Sequence, residues 1–197
     1  FADAMLGRVI EALDRSPARD NTIVVLWSDH GWHLGEKEHW QKFTGWRVCD
    51  RVPLMVRVPK GVAGLPDGTR AGSICDRPVS LVDLFGTLTE LCGLPAKEGI
   101  ESRSLVPLLR DPTATWPHAA ITHLDRPENY AISTEDWRYI HYFDGSEELY
   151  DIASDPHEWT NLAGKPDKAA KLAEMRSLTP TELKPLPPAA EPAPKKK

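Results

Sequence analysis

The stretch Asn21-Thr22-Ile23-Val24-Val25-Leu26-Trp27-Ser28-Asp29-His30-Gly31 decides how this chain is read. Its centre, Ile23 to Trp27, is the longest uninterrupted apolar run and shows no alternation of apolar with polar residues. The run is far short of the roughly 20 residues a membrane helix needs. It suits a strand buried on both faces, as in a parallel sheet packed between helix layers. Ahead of it, Met5, Leu6, Val9, Ile10 and Leu13 share one helical face over residues 2–15, and Ser16-Pro17 ends that helix. Helix followed by buried strand is α/β grammar. The sequence therefore predicts part of a mixed or parallel sheet sandwiched by helices.

Downstream, Pro53–Val58 reads as a second strand and residues 80–92 as a helix. In that helix Leu81, Leu84, Phe85, Leu88 and Leu91 recur at helical spacing, with Ser80 as N-cap and Gly93 as stop. From about residue 118 the pattern changes to short strands at Tyr130–Ser133, Trp137–Phe143 and Glu148–Asp151. Asp144-Gly145-Ser146 makes a hairpin turn between the last two. A small antiparallel sheet is expected, followed by a helix at about 167–177. The stretch after about Leu178 is rich in Pro, Ala and Glu, ends in Lys195-Lys196-Lys197, and reads as disordered. The expected divisions are an α/β region at 1–117, an antiparallel-sheet region with its helix at 118–178, and a tail at 179–197.

Bulk properties narrow the function classes. The 197 residues are 41% hydrophobic and 27% charged with a net charge of −5, which gives no electrostatic reason to expect nucleic acid or an anionic membrane as partner. The start, Phe1-Ala2-Asp3-Ala4-Met5, lacks the basic beginning and long apolar stretch of a signal peptide. With no initiator Met, the chain reads as cut from something longer. Cys49, Cys75 and Cys92 form no C-x-x-C pair, so neither a zinc cluster nor a disulfide framework is expected; all three read as small buried hydrophobes.

The chemistry is concentrated between Ser28 and Lys42. Asp29 and His30 fall where a buried strand stops, and the carboxyl ends of strands are where open α/β sheets build ligand sites. Two adjacent metal-ligating residue types there, followed by Gly31 to let the backbone turn, read as half of a metal site. The competing reading makes Asp29 a turn cap and His30 a hydrogen-bonded loop residue; on the triplet alone the two stand even. A hard cation such as Ca²⁺ would need further carboxylates from elsewhere.

The string from Asn21 to Gly31, then Leu34-Gly35-Glu36, Trp40-Gln41-Lys42 and Arg51-Val52-Pro53-Leu54, resembles the C-terminal half of the sulfatase family. The subgroup it most resembles is the iduronate-2-sulfatase type, in which the Asp is followed by His. The likeness continues through Ser80–Gly93, Ser104–Leu109, Trp137–Ile140, Glu148–Asp151, Asp155–Glu158 and Asn161-Leu162, and so covers most of residues 1–164. It implies that Asp29 and His30 are ligands of one Ca²⁺ and that Lys42 contacts the sulfate as the catalytic, substrate-binding lysine. A divalent ion and an ammonium aimed at a sulfate ester stabilise the negative charge that gathers on its oxygens during S–O cleavage.

The other residues of the stretch carry weaker expectations. Trp32 stands as a candidate for lining the substrate pocket, with packing an equal alternative. His33 and His39 read as surface histidines, Lys37 as solvated, His141 as structural, and Asp151, Asp155 and Glu158 as turn-forming. The family's nucleophile, a formylglycine made in a Cys/Ser-x-Pro/Ala-x-Arg motif, has no match around Cys49, Cys75 or Cys92. A truncated sulfatase is thus expected, inactive by itself, whose full form hydrolyses a sulfated small molecule or glycan in the periplasm or outside the cell. The alternatives are a phosphodiesterase or phosphonate monoester hydrolase of the same alkaline-phosphatase-like superfamily, and a catalytically silent binding module. The oligomeric state is not legible.

Overall fold

In the computed structural model, which describes residues 1–180, the chain divides into two units. Phe1–Trp32 with Arg51–Ala120 form one, and His33–Asp50 with the residues from Ile121 on form the other. The tail expected to be disordered falls, from residue 181, outside the described residues.

The first unit opens with α1 (Ala2–Asp14), whose Asp14 carboxylate accepts a 2.9 Å hydrogen bond from Arg57. The apolar run becomes β1 (Val24–Trp27), which pairs antiparallel with β4 (Leu54–Arg57) in the register Val24↔Arg57 to Trp27↔Leu54. Here the structure departs from the expectation of a parallel strand buried on both faces. Among the described residues β1 has this one partner strand and α1 buries no residue, so Trp27 and Met55 are 51% and 60% exposed. The non-alternating pattern identified the strand correctly but not its neighbours. The core of this unit is Val58, Leu65, Leu91 and Val106, with Ile23, Val56, Val62 and Leu109 against it.

Two short helices supply part of that core, α3 (Asp83–Leu91) and α4 (Val106–Arg110). Ser80 is not the cap of α3. The cap position is Val82, and the Asp83 carboxylate accepts from the backbone N–H of Ser80 and of Arg103. Gly93 does stop the helix: at φ +64° it lets Leu94 N–H reach Thr89 C=O and Gly93 N–H reach Glu90 C=O, the paired bonds of a Schellman ending. Cys75 and Cys92 are exposed, against the expectation of buried thiols; Cys92 follows the last turn of α3, off its core face, and only Cys49 is buried.

The second unit is built on a four-stranded sheet in the order β5 (Ala120–His123), β6 (Tyr130–Ser133), β7 (Trp137–His141) and β8 (Glu147–Asp151), with β6–β7 and β7–β8 antiparallel. The Asp144-Gly145-Ser146 turn forms as read, with Gly145 at φ +82° and the Asp144 carboxylate accepting from Ser146 N–H. Strand alternation sends Tyr139, Ile132 and Leu149 to one face and Arg138, Ile140, Ala131 and Tyr150 to the other. The first face takes α5 (Ala169–Arg176), which buries Leu172 and Met175 and whose Arg176 pairs with Glu147. The second face takes the segment 33–50, which contains β2 (His33–Leu34), β3 (Trp40–Gln41) and α2 (Arg47–Asp50).

The Arg176 hydrogen bonds hold the Glu147 carboxyl below the usual carboxylate range, with Tyr139 O–H adding to the effect. A lowered carboxyl contributes stability that is complete above the ordinary pKa and fades as pH falls through its folded value. Because Arg176 is half exposed, the pair is worth about 1 kcal/mol or less. Glu147→Gln is expected to lower the melting temperature by a few degrees at pH 7, with the gap to wild type closing below about pH 4. Thermal denaturation followed by circular dichroism across pH checks this.

Candidate active site

Asp29 and His30 leave the end of β1 in the first unit. Polar atoms lie close to both nitrogens of the His30 ring. Nδ1 lies 2.7 Å from Gly31 C=O, which can only accept, so Nδ1 carries the hydrogen. In the neutral ring Nε2 then bears the lone pair, and it lies 3.4 Å from Asp29 Oδ2, on a carboxylate whose side chain is 81% exposed. A ring lone pair and a carboxylate oxygen at that distance could share one metal ion. Ser28 O–H donates to His30 C=O at 2.8 Å and fixes the backbone of the pair. The donor set therefore fits two ligands of one divalent ion. Among the described residues no group of three or more His, Cys, Asp or Glu is placed to hold a metal.

Gly31 is not among the glycines with positive φ; the left-handed turn comes at Gly35, φ +119°. What Gly31 contributes is the carbonyl that orients His30. Trp32 is half exposed, its ring centroid 6.2 Å from that of His30, so the structure groups it with the Asp29–His30 pair.

Lys42 belongs to the second unit. It lies just past β3, whose residues pair with β2 in the register His33↔Gln41 and Leu34↔Trp40. Its ammonium is 5.2 Å from the Phe43 ring centroid, and its carbonyl lies 3.2 Å from His39 Nε2. Both neighbours of Lys42 are left-handed: Gln41 has φ +76° and Phe43 φ +72°, and Lys37 and Glu38 have φ +54° and +58°. None of the four is glycine. Such residues cost on the order of 1–3 kcal/mol each and persist only where the surroundings over-determine them.

The surroundings do so here. His33 is fully buried, not at the surface as expected; its Nε2 lies 2.6 Å from Thr44 Oγ1, and burial together with neighbouring His39 pushes its pKa down. Lys37 is not solvated either. Its ammonium donates to Glu158 C=O at 2.5 Å and to Tyr150 Oη at 2.9 Å, and sits 4.4 and 4.5 Å from the Trp46 and Tyr150 ring centroids. Burial draws its pKa down, opposed by Glu148, Glu158 and Asp155. Glu148 takes hydrogen bonds from Trp46 Nε1, Tyr142 O–H and Tyr150 O–H.

Arg138 completes the arrangement. With its side chain 4% exposed, it donates to Gly45 C=O, pairs with Asp50, and has Nε 3.2 Å from Glu158 Oε1. Glu158, expected to form a turn, is left-handed at φ +60° and buried, and its other carboxylate oxygen accepts from Arg47 N–H at 2.7 Å. Burial pushes the carboxyls of Asp50 and Glu158 up while Arg138 draws them down. Asp151, the last residue of β8, and Asp155 flank the turn between them, accepting from Ser154 and Thr160 N–H. His141 is structural as read, its Nδ1 2.8 Å from Glu128 C=O. Sequence reasoning missed Lys37, Arg138 and Glu158. For Arg138 a signal existed: it shares strand parity with Ile140, a core position.

The sulfatase family model matches residues 1–94. A sulfatase from Formosa agariphila is 40% identical over 180 residues, 91% of this chain and 34% of the relative. A solved structure in complex with its substrate D-glucosamine-2-N,6-O-disulfate superposes with a TM-score of 0.79 at 31% identity, over 90% of this chain and 37% of the other. The phosphonate monoester hydrolase of Agrobacterium radiobacter gives a TM-score of 0.73 at 29% identity, over 89% of this chain and 37% of the other. The chain thus spans about a third of the length of the relatives it matches. The chain is thus similar to the sulfatase family over its first 94 residues and to individual sulfatases over nine-tenths of its length, and its fold is that of the sulfatase structures it superposes on.

Proposed function

We propose that this chain is the C-terminal portion of a metal-dependent sulfate ester hydrolase acting on a sulfated carbohydrate. The observation that carries the reading is the His30 ring, oriented by Gly31 C=O so that Nε2 faces the exposed Asp29 carboxylate at 3.4 Å. Asp29 and His30 would supply two ligands of one divalent ion. Resemblance favours Ca²⁺, while an imidazole donor also suits softer ions such as Mn²⁺ or Zn²⁺. The ion's chemistry, when bound, is to stabilise negative charge on the ester oxygens.

Lys42 is assigned to the sulfate, where its ammonium offsets the charge that grows as the S–O bond breaks. Trp32, half exposed beside His30, is assigned to the wall of the substrate site. A formylglycine nucleophile and the remaining metal ligands would lie in polypeptide outside these 197 residues. The Asp-His order supports a metal motif of the iduronate-2-sulfatase type. For the substrate, a relative bound to a 6-O-sulfated glucosamine supports a glycan sulfate. A periplasmic or extracellular site of action accords with that substrate. Among the described residues no helix is long and apolar enough to cross a membrane.

A second reading, phosphonate monoester hydrolysis, is favoured by the likeness to the Agrobacterium radiobacter enzyme. Tetrahedral phosphorus esters need similar charge stabilisation, so the residues and their roles would be the same and the preferred leaving group would differ.

The complete natural polypeptide is expected to release sulfate from 6-O-sulfated glucosamine faster than it cleaves a phenylphosphonate ester; the reverse order selects the second reading. The 197-residue chain alone should do neither. Asp29→Asn and His30→Ala should each weaken Mn²⁺ binding by more than about tenfold in an EPR titration. Lys42→Ala should leave Mn²⁺ affinity unchanged and lower kcat/KM by about 10²–10³. Wild-type turnover in the Lys42 variant would remove the lysine from the site.

A further inference from the structure

We propose that Lys37 is a positioning residue, a cationic clamp that holds the backbone around Lys42 in its left-handed conformation. The inference rests on the assignment of Lys42 to the substrate and deepens it. It begins with the four non-glycine residues at positive φ, Lys37, Glu38, Gln41 and Phe43, two of which bracket Lys42. The loop's own hydrogen bonds are local: His39 N–H donates to Glu36 C=O, Glu38 N–H to Gly35 C=O, Gly35 N–H to His39 C=O and Leu34 N–H to the Glu36 carboxylate, His39 Nε2 meets Lys42 C=O, and β2 pairs with β3. They tie the loop to itself and leave its placement on the sheet to longer-range contacts.

The loop's start is tied down instead. Lys37 is the point at which a charged side chain leaves it for the sheet. There the ammonium lies between two aromatic rings, Trp46 and Tyr150, and donates to the Glu158 carbonyl and the Tyr150 hydroxyl. These contacts reach residues 113 and 121 positions away in sequence. The loop's far end is fixed by His33 on Thr44 and by Arg138 on the Gly45 carbonyl. Lys42 therefore sits on a span anchored at Lys37 and again at Thr44–Gly45. A solvated lysine at position 37 would do none of this. A neutral side chain of the same length would fill the space between the rings but lose both donated hydrogen bonds and the attraction to the ring faces.

The test uses the complete natural polypeptide. Lys37→Met should increase backbone hydrogen exchange at residues 37–43 by at least tenfold while exchange in β6 to β8 stays at wild-type rates. It should also lower kcat/KM toward 6-O-sulfated glucosamine by at least tenfold, mostly in kcat. In a Lys42→Ala background, Lys37→Met should cost nothing further, because the clamp acts through Lys42. Tyr150→Phe, which removes one acceptor and keeps both rings, should show the same pattern more weakly and covers the case in which Lys37→Met does not fold. Unchanged exchange at 37–43, or losses in the two single variants that multiply in the double, overturns the clamp. Full activity in Lys42→Ala alone overturns the assignment on which the clamp rests, whatever the exchange shows.

Discussion

The buried guanidinium of Arg138 is the constraint on which the second unit depends. It stands mid-strand on β7, at a position whose parity demands burial; its donors are met by Asp50, the Gly45 carbonyl and Ser133, and the Glu158 carboxylate lies 3.2 Å away as an ion-pair partner. Gly45 and Asp50 belong to the 33–50 segment and Glu158 to a turn more than a hundred residues further on, so one charge fixes where both lie on the sheet. A buried ion pair adds little net stability over an apolar replacement, but removing one member leaves the others charged and unpaired, at about 3–5 kcal/mol. Its value here is register. Gly45 shows the fit: an added Cβ would lie 3.0 Å from Ile140 and 3.2 Å from Ala131.

From that register follows the conformation of the loop bearing Lys42. With Gly45 and Trp46 seated on the sheet, Lys37 reaches the Trp46 and Tyr150 rings, and Glu38, Gln41 and Phe43 in between adopt left-handed backbone. The Asp29–His30 pair is made by simpler means, the end of a strand and a carbonyl that selects the imidazole tautomer. Fold alone does not assign chemistry. The proteins this chain is similar to include a sulfatase and a phosphonate monoester hydrolase. The proposed division of labour, two metal donors and one ammonium, suits either, and the leaving group distinguishes them.

Much of the fold was legible because its signals are local. The period of α1, the Asp144-Gly145-Ser146 turn and the Gly93 stop each depend on residues within a few positions of one another. The antiparallel pairing of β1 was not legible, since a short apolar run fixes a strand and leaves its partner open. Asp29, His30 and Lys42 were chosen by motif order rather than by geometry. Lys37, His33 and Glu158 were misread because lysine, histidine and glutamate are ordinarily exposed, and their burial comes from contacts across more than a hundred residues for Lys37 and Glu158 and across a tight hairpin for His33. Only Arg138, charged at a core-facing strand position, announced a buried partner.

The central claim is that Asp29 and His30 together hold one divalent ion. Its most direct test is paramagnetic relaxation in the complete natural polypeptide, with ¹⁵N-labelled histidine and one equivalent of Mn²⁺ added. The claim predicts that the His30 ring signals broaden beyond detection in the wild type and stay sharp in Asp29→Asn. Sharp His30 signals in the wild type with Mn²⁺ bound would contradict it.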